Sequence, residues 1–128
     1  MIIREVTTAD AAAWEAMRCD MWPDGAAEHG KEIAAFFEGT LEEPNAVLVV
    51  EDESGALIAV AELSIRYDVA GLLRKKTGYV EGLCVKPNWR SRGIARELLR
   101  ASKRWARKNK CEAFASDRAG RVVIDKRF

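Results

Sequence analysis

Residues 88–100, NWRSRGIARELLR, place four arginines around one glycine where a strand gives way to a predicted helix. Gly93 permits a positive φ angle, and the small Ala95 leaves room above the first helical turn. The N–H groups from Arg92 to Arg96 then have no partner within the helix, which makes a site for an anion, most often a phosphate. A helix whose arginines are merely solvated is the alternative that the spacing alone leaves open.

Charge is divided unevenly between the two halves of the chain. Residues 1–64 carry 14 acidic and 3 basic side chains, a net charge of −11, whereas residues 65–128 carry 6 acidic and 18 basic ones, a net charge of +12. Attraction between the two halves of a folded domain is one explanation. The other is that one part faces an anionic ligand and another part a cationic ligand.

Length and composition narrow the class of protein. The 128 residues, 48% hydrophobic and 32% charged, fit a single domain over residues 1–128. The N-terminus lacks the regions of a signal peptide and no apolar run reaches the length of a membrane span, so we expect a cytoplasmic protein. Three scattered cysteines and one histidine argue against a disulfide framework and a metal site. That histidine, His29, lies in a polar helical segment and is expected to be exposed.

Periodicity and turn signals predict the elements that position these residues. Strands are predicted at 2–6, 46–52, 56–67, 78–87 and 111–116, and helices at 8–21, at 28–41 with an end near Gly39, and from Ser91 or Arg92 to about Lys108, with Thr8 capping the first helix. The order β-α-α-β-β-β-α-β, followed by a short tail, predicts an α/β (α+β) domain with a mixed sheet and helices on its faces.

Several stretches resemble the GCN5-related N-acetyltransferases (GNAT). EGLCVKPNWRSRGIARELL is similar to the acetyl-CoA signature of that family, V-x-P-x-x-R-x-x-G-x-A/G. MWP (21–23), AELSIRYD (61–68), VEGLCV (80–85), RWARKNKC (104–111) and ASD (115–117) narrow the resemblance to the aminoglycoside 6'-N-acetyltransferases. The resemblance covers residues 2–117 and implies the GNAT fold, a mostly antiparallel mixed sheet with helices on both faces. It also implies that the anion is the pyrophosphate of acetyl-CoA, the cosubstrate.

The resemblance further implies where acetyl-CoA lies. Strand 80–85 splays from strand 112–116, pantetheine fills the gap, and the Val85 N–H polarises the thioester carbonyl. The residues implied to bind the cofactor are Leu83, Cys84, Val85, Arg90, Ser91, Arg92, Gly93, Ile94, Ala95 and Arg96. Cys84 is alternatively an acetyl carrier, but with no histidine nearby in an alternating apolar strand we expect it to be packed and inert.

An amine acceptor must lose a proton before it attacks the thioester. For a lysine-like amine of pKa about 10.4, the free base at pH 7 is disfavoured by roughly 4.6 kcal/mol. Glu81, two residues before Leu83 on the pantetheine strand, is the candidate general base, directly or through a water molecule. The alternative is a solvated glutamate on the exposed face of the strand.

The implied acceptor is an aminoglycoside, a polyamino sugar that carboxylates attract. The residues implied to hold it are Trp22, Tyr67, Asp68, Glu81 and Asp117. Trp22 is either a stacking surface for the sugar or a core residue. Asp24 and Glu28 extend the acidic rim in a weaker prediction.

The resemblance stops after Asp117. The family continues with a polar segment, a further helix and a closing pair of strands, whereas 11 residues follow here, enough for one strand at 121–127. We therefore expect the C-terminal helix and part of the last hairpin to be missing. A deletion, a frameshifted tail and a partner chain that completes the sheet are the three explanations. The last of these predicts a homodimer with an exchanged tail strand.

The leading functional prediction is an acetyl-CoA-dependent aminoglycoside 6'-N-acetyltransferase, and hence a role in antibiotic resistance. Another amine acceptor, such as a peptide N-terminus or a polyamine, and a catalytically impaired protein that only binds ligand are the alternatives. Binding of nucleic acid by the basic helix 96–108 is a further class. It is disfavoured because the acidic N-terminal half repels a polyanion.

Overall fold

One six-stranded sheet organises the structure, a computed structural model that describes residues 1–128. Its elements are β1 (Ile2–Glu5), α1 (Ala11–Met21), α2 (Ala26–Glu38), β2 (Ala46–Glu51), β3 (Leu57–Arg66), β4 (Thr77–Val85), α3 (Ile94–Lys108), β5 (Ala113–Arg118) and β6 (Arg121–Ile124). The strands lie in sequence order, and only β4 and β5 run parallel, which confirms the predicted mixed, mostly antiparallel sheet. None of the helices combines the length and apolar character needed to cross a membrane.

Helices cover both faces of the sheet, as predicted. On one face, Ile94 and Leu98 of α3 pack in a core cluster with Ala61 of β3. On the other face, Trp14 of α1 packs in a second cluster with Val60 of the same strand. Because side chains alternate between the faces of a strand, β3 is covered on both sides. Eight of its ten residues are accordingly buried, which is why it reads as a nearly continuous apolar run.

Two helices begin later than predicted. Ser91 and Gly93 have φ angles of 62° and 81°, in the left-handed region, and a right-handed helix cannot run through them. Helix α3 therefore starts at Ile94. A 3₁₀ turn at Thr8–Asp10 precedes α1, so the prediction that Thr8 caps this helix was wrong and Asp10 holds that position.

A gap opens between β4 and β5. Strand β4 pairs with β3 from Thr77 to Val85, but it pairs with β5 only from Thr77 to Val80. Residues 81–85 therefore have one edge without a neighbouring strand, as the resemblance implied. The register with β3 also shifts so that Glu81 is an extra residue of β4. Such a bulge redirects side chains, and here it affects the predicted catalytic residue.

The tail forms a hairpin with β5. Ala119 and Gly120 both have positive φ angles, 54° and 79°, as the tight two-residue turn of a hairpin requires. The strand that follows ends at Ile124, three residues earlier than predicted. Asp125 then forms an ion pair with Lys103 of α3, with 2.6 Å between Oδ2 and Nζ, and this contact joins the last residues to α3. No helix lies between β5 and β6.

Candidate functional site

The N-terminus of α3 carries free backbone amides, as the arginine–glycine segment predicted. The first helical hydrogen bond runs from the Glu97 N–H to the Gly93 carbonyl, 3.1 Å long. The N–H groups of Ile94, Ala95 and Arg96 precede it and therefore have no acceptor within the helix. The side chain of Ile94 is buried in the core, so this residue offers only its amide.

The arginines of the turn have different partners. The Arg90 Nε donates to the Val85 carbonyl at 3.0 Å and so joins the turn to the end of β4. The guanidinium of Arg92 lies over the ring of Trp89 at 4.9 Å from its centroid. Ser91, Arg92 and Gly93 are exposed. The turn therefore presents amides and guanidinium groups to solvent, an arrangement that suits a diphosphate.

A cleft of about 380 Å³ occupies the gap between β4 and β5. The residues that line it are Val80, Leu83, Ala95, Leu99, Ser116, Asp117, Arg118 and Ala119. The Lys86 N–H donates to the Ile58 carbonyl of β3, so alternation along β4 turns the backbone groups of Val85 and Leu83 toward the gap. These two residues are therefore placed to pair with an extended ligand.

Cys84 does not face this cleft. Its side chain packs on the opposite face of the sheet, in the cluster that contains Trp14 and Met17. Burial raises the pKa of the thiol, which keeps it protonated. The geometry agrees with an inert, packed cysteine, and it separates Cys84 from the other residues predicted to bind the cofactor.

A second cavity, of about 450 Å³, lies on the α1–α2 face of the sheet, and we call it the acceptor cavity. Its lining includes five carboxylates, Glu32, Glu43, Glu62, Glu81 and Asp117, together with Trp22, His29, Arg18 and Arg66. Only two cations face these five carboxylates, so the cavity is net acidic and favours a cationic ligand. The structure thus brings together three of the predicted acceptor residues, which are Trp22, Glu81 and Asp117.

The remaining predicted acceptor residues lie outside this cavity. Asp68 lines an adjoining space of about 370 Å³ and reaches the acceptor cavity only through Arg66, 3.6 Å away. Tyr67 is 58% exposed and lines neither space. Asp24 and Glu28 are exposed and do not line the cavity, so the weaker prediction of an extended rim finds no support.

Glu81 is ion-paired in this structure and is not simply solvated. Its Oε2 accepts a hydrogen bond from the Arg66 Nε at 2.6 Å, and its Oε1 accepts one from Nη2 at 3.1 Å. Glu43 also contacts Arg66, at 2.8 Å, and burial raises the pKa of this carboxyl although the guanidinium opposes the shift. Burial, with the nearby charge of Asp117, likewise raises the pKa of Tyr79.

Sequence reasoning missed a buried ion pair beneath the cavity. Glu62, 1% exposed, accepts hydrogen bonds from the Trp14 Nε1 at 2.9 Å and from the Arg18 Nε at 2.7 Å. Arg18 also donates to Glu32 of α2 at 2.7 Å. Burial alone would lower the pKa of Arg18, but its carboxylate partners outweigh that effect and raise it. A glutamate within the apolar run of β3 was the signal available in the sequence.

The expectation that His29 is exposed was wrong. It is 4% exposed, its Nε2 lies 2.9 Å from the Trp22 carbonyl and its Nδ1 lies 3.3 Å from Arg18. Because a guanidinium can only donate and a carbonyl can only accept, Nδ1 accepts from Arg18, and Nε2 carries the proton and donates to the Trp22 carbonyl. The short turn between α1 and α2 folds His29 back over Trp22. Its polar neighbours in sequence did not indicate this burial.

The two cavities meet at one residue. Asp117 lines both the acceptor cavity and the cleft between β4 and β5, whereas Glu81 lies two residues from Leu83 along β4. A cationic group in the first cavity is therefore adjacent to a ligand that lies along the second. Transfer of a group between the two ligands needs this proximity.

The chain is similar to known proteins in both sequence and structure. Residues 11–122 match the model of the acetyltransferase (GNAT) family. The chain is 40% identical over 117 residues to an aminoglycoside N(6')-acetyltransferase type 1 of Klebsiella aerogenes, covering 91% of this chain and 77% of that relative. The solved structure of aminoglycoside antibiotic 6'-N-acetyltransferase AAC(6')-IG from Acinetobacter haemolyticus is similar with a TM-score of 0.81 and 31% identity, covering 93% and 80% of the two chains. AAC(6')-Iy in complex with the bisubstrate analogue CoA-S-monomethyl-acetylneamine gives a TM-score of 0.74 and 29% identity, covering 92% and 79%.

Proposed function

Because the chain belongs to the acetyltransferase (GNAT) family, we propose that it transfers the acetyl group of acetyl-CoA to an amino group of an aminoglycoside. The observation that carries this proposal is the meeting of a carboxylate-lined cavity with the cleft beside β4 at Asp117. The family uses acetyl-CoA, and a similar solved structure holds a CoA–acetylneamine analogue. The relatives in the comparison are named for aminoglycosides, and the acidic cavity suits such polycations.

Backbone groups are proposed to hold the cosubstrate. The free amides of Ile94 to Arg96 bind the diphosphate, and the exposed edge of β4 at Leu83 and Val85 pairs with the pantetheine arm. The Val85 N–H then donates to the thioester oxygen, where negative charge develops as the amine attacks. The attacking nitrogen bonds to the carbonyl carbon, the carbon–sulfur bond breaks, and CoA leaves.

Glu81 is proposed to take the proton that the amine must lose. Glu81 lines the acceptor cavity and stands two residues before Leu83, which lines the cleft. A general base of this kind contributes about 10²- to 10⁴-fold to a rate. We therefore expect Glu81→Gln to lower kcat about 10²-fold and to change the Kd of acetyl-CoA by less than twofold.

A thiol-release assay with acetyl-CoA and kanamycin or tobramycin tests the proposal directly. Glu97→Gln is a matched control, because Glu97 also forms a glutamate–arginine pair, with Arg100 at 2.7 Å, but lies on α3 outside the acceptor cavity. It should retain wild-type kcat. If a polyamine or a peptide N-terminus supports turnover and neither antibiotic does, the acceptor is that amine and not an aminoglycoside. Ligand binding without any thiol release would leave only a binding protein.

We also propose a homodimer that forms through the outer edge of β6; the expected exchange of the tail strand is not kept, because a two-residue turn pairs β6 with β5 of its own chain. This strand ends the sheet, and its residues Val122 and Val123 are 43% and 39% exposed. An unpaired edge of this kind accepts a strand from another chain. Light scattering after size exclusion should give twice the monomer mass at micromolar concentration, and a monomer mass would end this proposal.

A further inference from the structure

Arg66 places a positive charge inside the acidic cavity. The Arg66 side chain is 29% exposed, and its guanidinium contacts both carboxylate oxygens of Glu81, at 2.6 and 3.1 Å. It also lies 2.8 Å from Glu43 and 3.6 Å from Asp68. The ring of Tyr79 supports it from one side, 5.3 Å from the guanidinium carbon. One cation thus has three carboxylate partners, drawn from β4, from the loop before β2 and from the residues after β3.

The other carboxylates of the cavity are arranged differently. Glu62 and Glu32 are held by Arg18, at the end of the cavity nearest α1 and α2. Asp117 makes no ion pair, and its one hydrogen bond comes from the Gly120 N–H at 2.8 Å. The carboxylates beside the cleft between β4 and β5 are therefore Asp117, which has no cation, and Glu81, which already has one.

We propose that Arg66 is a specificity-determining residue that occupies the position of one ammonium group of the acceptor, which must displace it from Glu81 and Glu43 in order to bind. This inference rests on the proposed function, because it assumes that the acceptor cavity receives a cation. The guanidinium makes the contacts with Glu81 that an ammonium group needs there. An acceptor with a single charge replaces the guanidinium at Glu81 with its ammonium group and gains no additional ion pair. An acceptor with several charges also gains Asp117, so with Arg66 in place only polycations bind with a net gain in ion pairs.

Asp68 gives the displaced arginine a partner. It is 74% exposed at the rim and already lies 3.6 Å from Nη1. The long stem of an arginine allows its guanidinium to move outward without any change in β3. Arg66 can therefore release Glu81 and remain paired at the rim.

Calorimetry of tobramycin binding without acetyl-CoA tests this inference. Arg66→Met removes the competing cation and keeps most of the side-chain volume, so we expect tobramycin to bind about tenfold more tightly. Arg66→Lys retains one charge but cannot engage both oxygens of Glu81, and should bind about threefold more tightly than the wild type. Arg100→Met is the control: it loses the same charge and an ion pair with Glu97 on α3, and its Kd should stay within twofold.

Salt separates local displacement from the general field of the protein. At 0.5 M NaCl long-range attraction is screened within about 4 Å, whereas competition at partly buried contacts persists. The ratio of the two Kd values, wild type to Arg66→Met, should therefore hold at 0.15 M and 0.5 M. A gain that disappears at the higher salt, or binding that is equal or weaker in Arg66→Met, overturns the inference. Circular dichroism verifies folding, and if Arg66→Met is unfolded, Arg66→Lys decides in the same way.

The outcomes also separate this inference from the proposed function. If the wild type binds tobramycin but transfers no acetyl group, the proposed function is wrong. The affinity of Arg66→Met for tobramycin still decides the role of Arg66 in that case. A wild type that transfers acetyl, with an unchanged Kd in Arg66→Met, loses only the inference. Absence of tobramycin binding in every variant removes both.

Discussion

A methyl group added at Gly82 tests how Trp22 is held in the acceptor cavity. The Cβ of an alanine at this position would lie 2.6 and 2.7 Å from the indole atoms Cζ2 and Cη2 of Trp22. It would also lie 3.1 Å from the sulfur of Met21. Gly82 pairs with Glu62 of β3. At this position the indole of Trp22 packs directly on the backbone of β4. Only a residue without a side chain permits that contact.

The distances set the size of the effect. Carbon atoms in contact lie about 3.5–4.0 Å apart, so the indole must retreat by about 1 Å. Overpacking of this kind lowers the free energy of unfolding by about 1–3 kcal/mol. A displacement of about 1 Å in a positioning residue can lower rates by up to about 10²-fold. We expect Gly82→Ala to raise the acceptor KM about tenfold and to change the Kd of acetyl-CoA by less than twofold, because Gly82 does not line the cleft.

Urea denaturation and steady-state kinetics with tobramycin measure these two effects. Gly30→Ala is the matched control, since its new Cβ meets only the flexible end of Glu15, at 3.1 Å. In helix α2 this alanine should stabilise the protein by up to about 1 kcal/mol. A smaller ring in Gly82→Ala/Trp22→Phe should recover part of the lost stability. If Gly82→Ala keeps wild-type stability and KM, Trp22 is not packed against β4 and the reasoning is refuted.

Three further predictions concern the turn, the N-terminus and the buried ion pair. Gly93→Val forces a branched side chain into a φ of 81°. We expect acetyl-CoA to bind at least tenfold more weakly by calorimetry, and unchanged affinity would contradict the anion site. Asp10 has a pKa lowered from 3.8 to about 2, chiefly by its hydrogen bond from Arg4. Its stabilisation, about 1–2 kcal/mol, is therefore present above pH 4 and is lost as the pH falls through about 2, so Asp10→Asn and wild type should differ at pH 7 and approach each other toward pH 2 in urea denaturation. Glu62→Gln removes the buried negative charge opposite Arg18 and should cost about 3 kcal/mol of unfolding free energy, and a loss below 1 kcal/mol would show that this charge contributes little.

The free amides at the start of α3 were predictable because the residues that produce them are close in sequence. They all lie within residues 85–96, which include the end of the strand at Val85, Gly93 and the amides that follow it. Over so short a segment the spacing of the residues sets their geometry. The same holds for the strands, whose apolar and β-branched runs between turn signals predicted them to within a few positions. Helix α3 starts later than predicted because Gly93, and Ser91 before it, adopt left-handed conformations that a right-handed helix excludes.

The acceptor cavity shows the limit of this reasoning. Glu81 and Asp117 were predicted as separate residues, but the sequence contained no sign that Arg66, 15 positions before Glu81, would neutralise it. Nor did it indicate that Arg18 and Glu62, 44 positions apart, would form a buried pair. His29 was misplaced for the same reason, because its burial depends on how α2 folds back over Trp22.

By itself the sequence determined the order of strands and helices, the free amides at the start of α3 and the excess of acidic residues in the first half of the chain. These properties depend on neighbours along the chain, through backbone periodicity and the conformational freedom of Gly93. Only the tertiary structure decided which carboxylates share a cavity and which already have a cation. The energy of a charge depends on its distance from other charges and on its burial, and both are set when remote segments pack together.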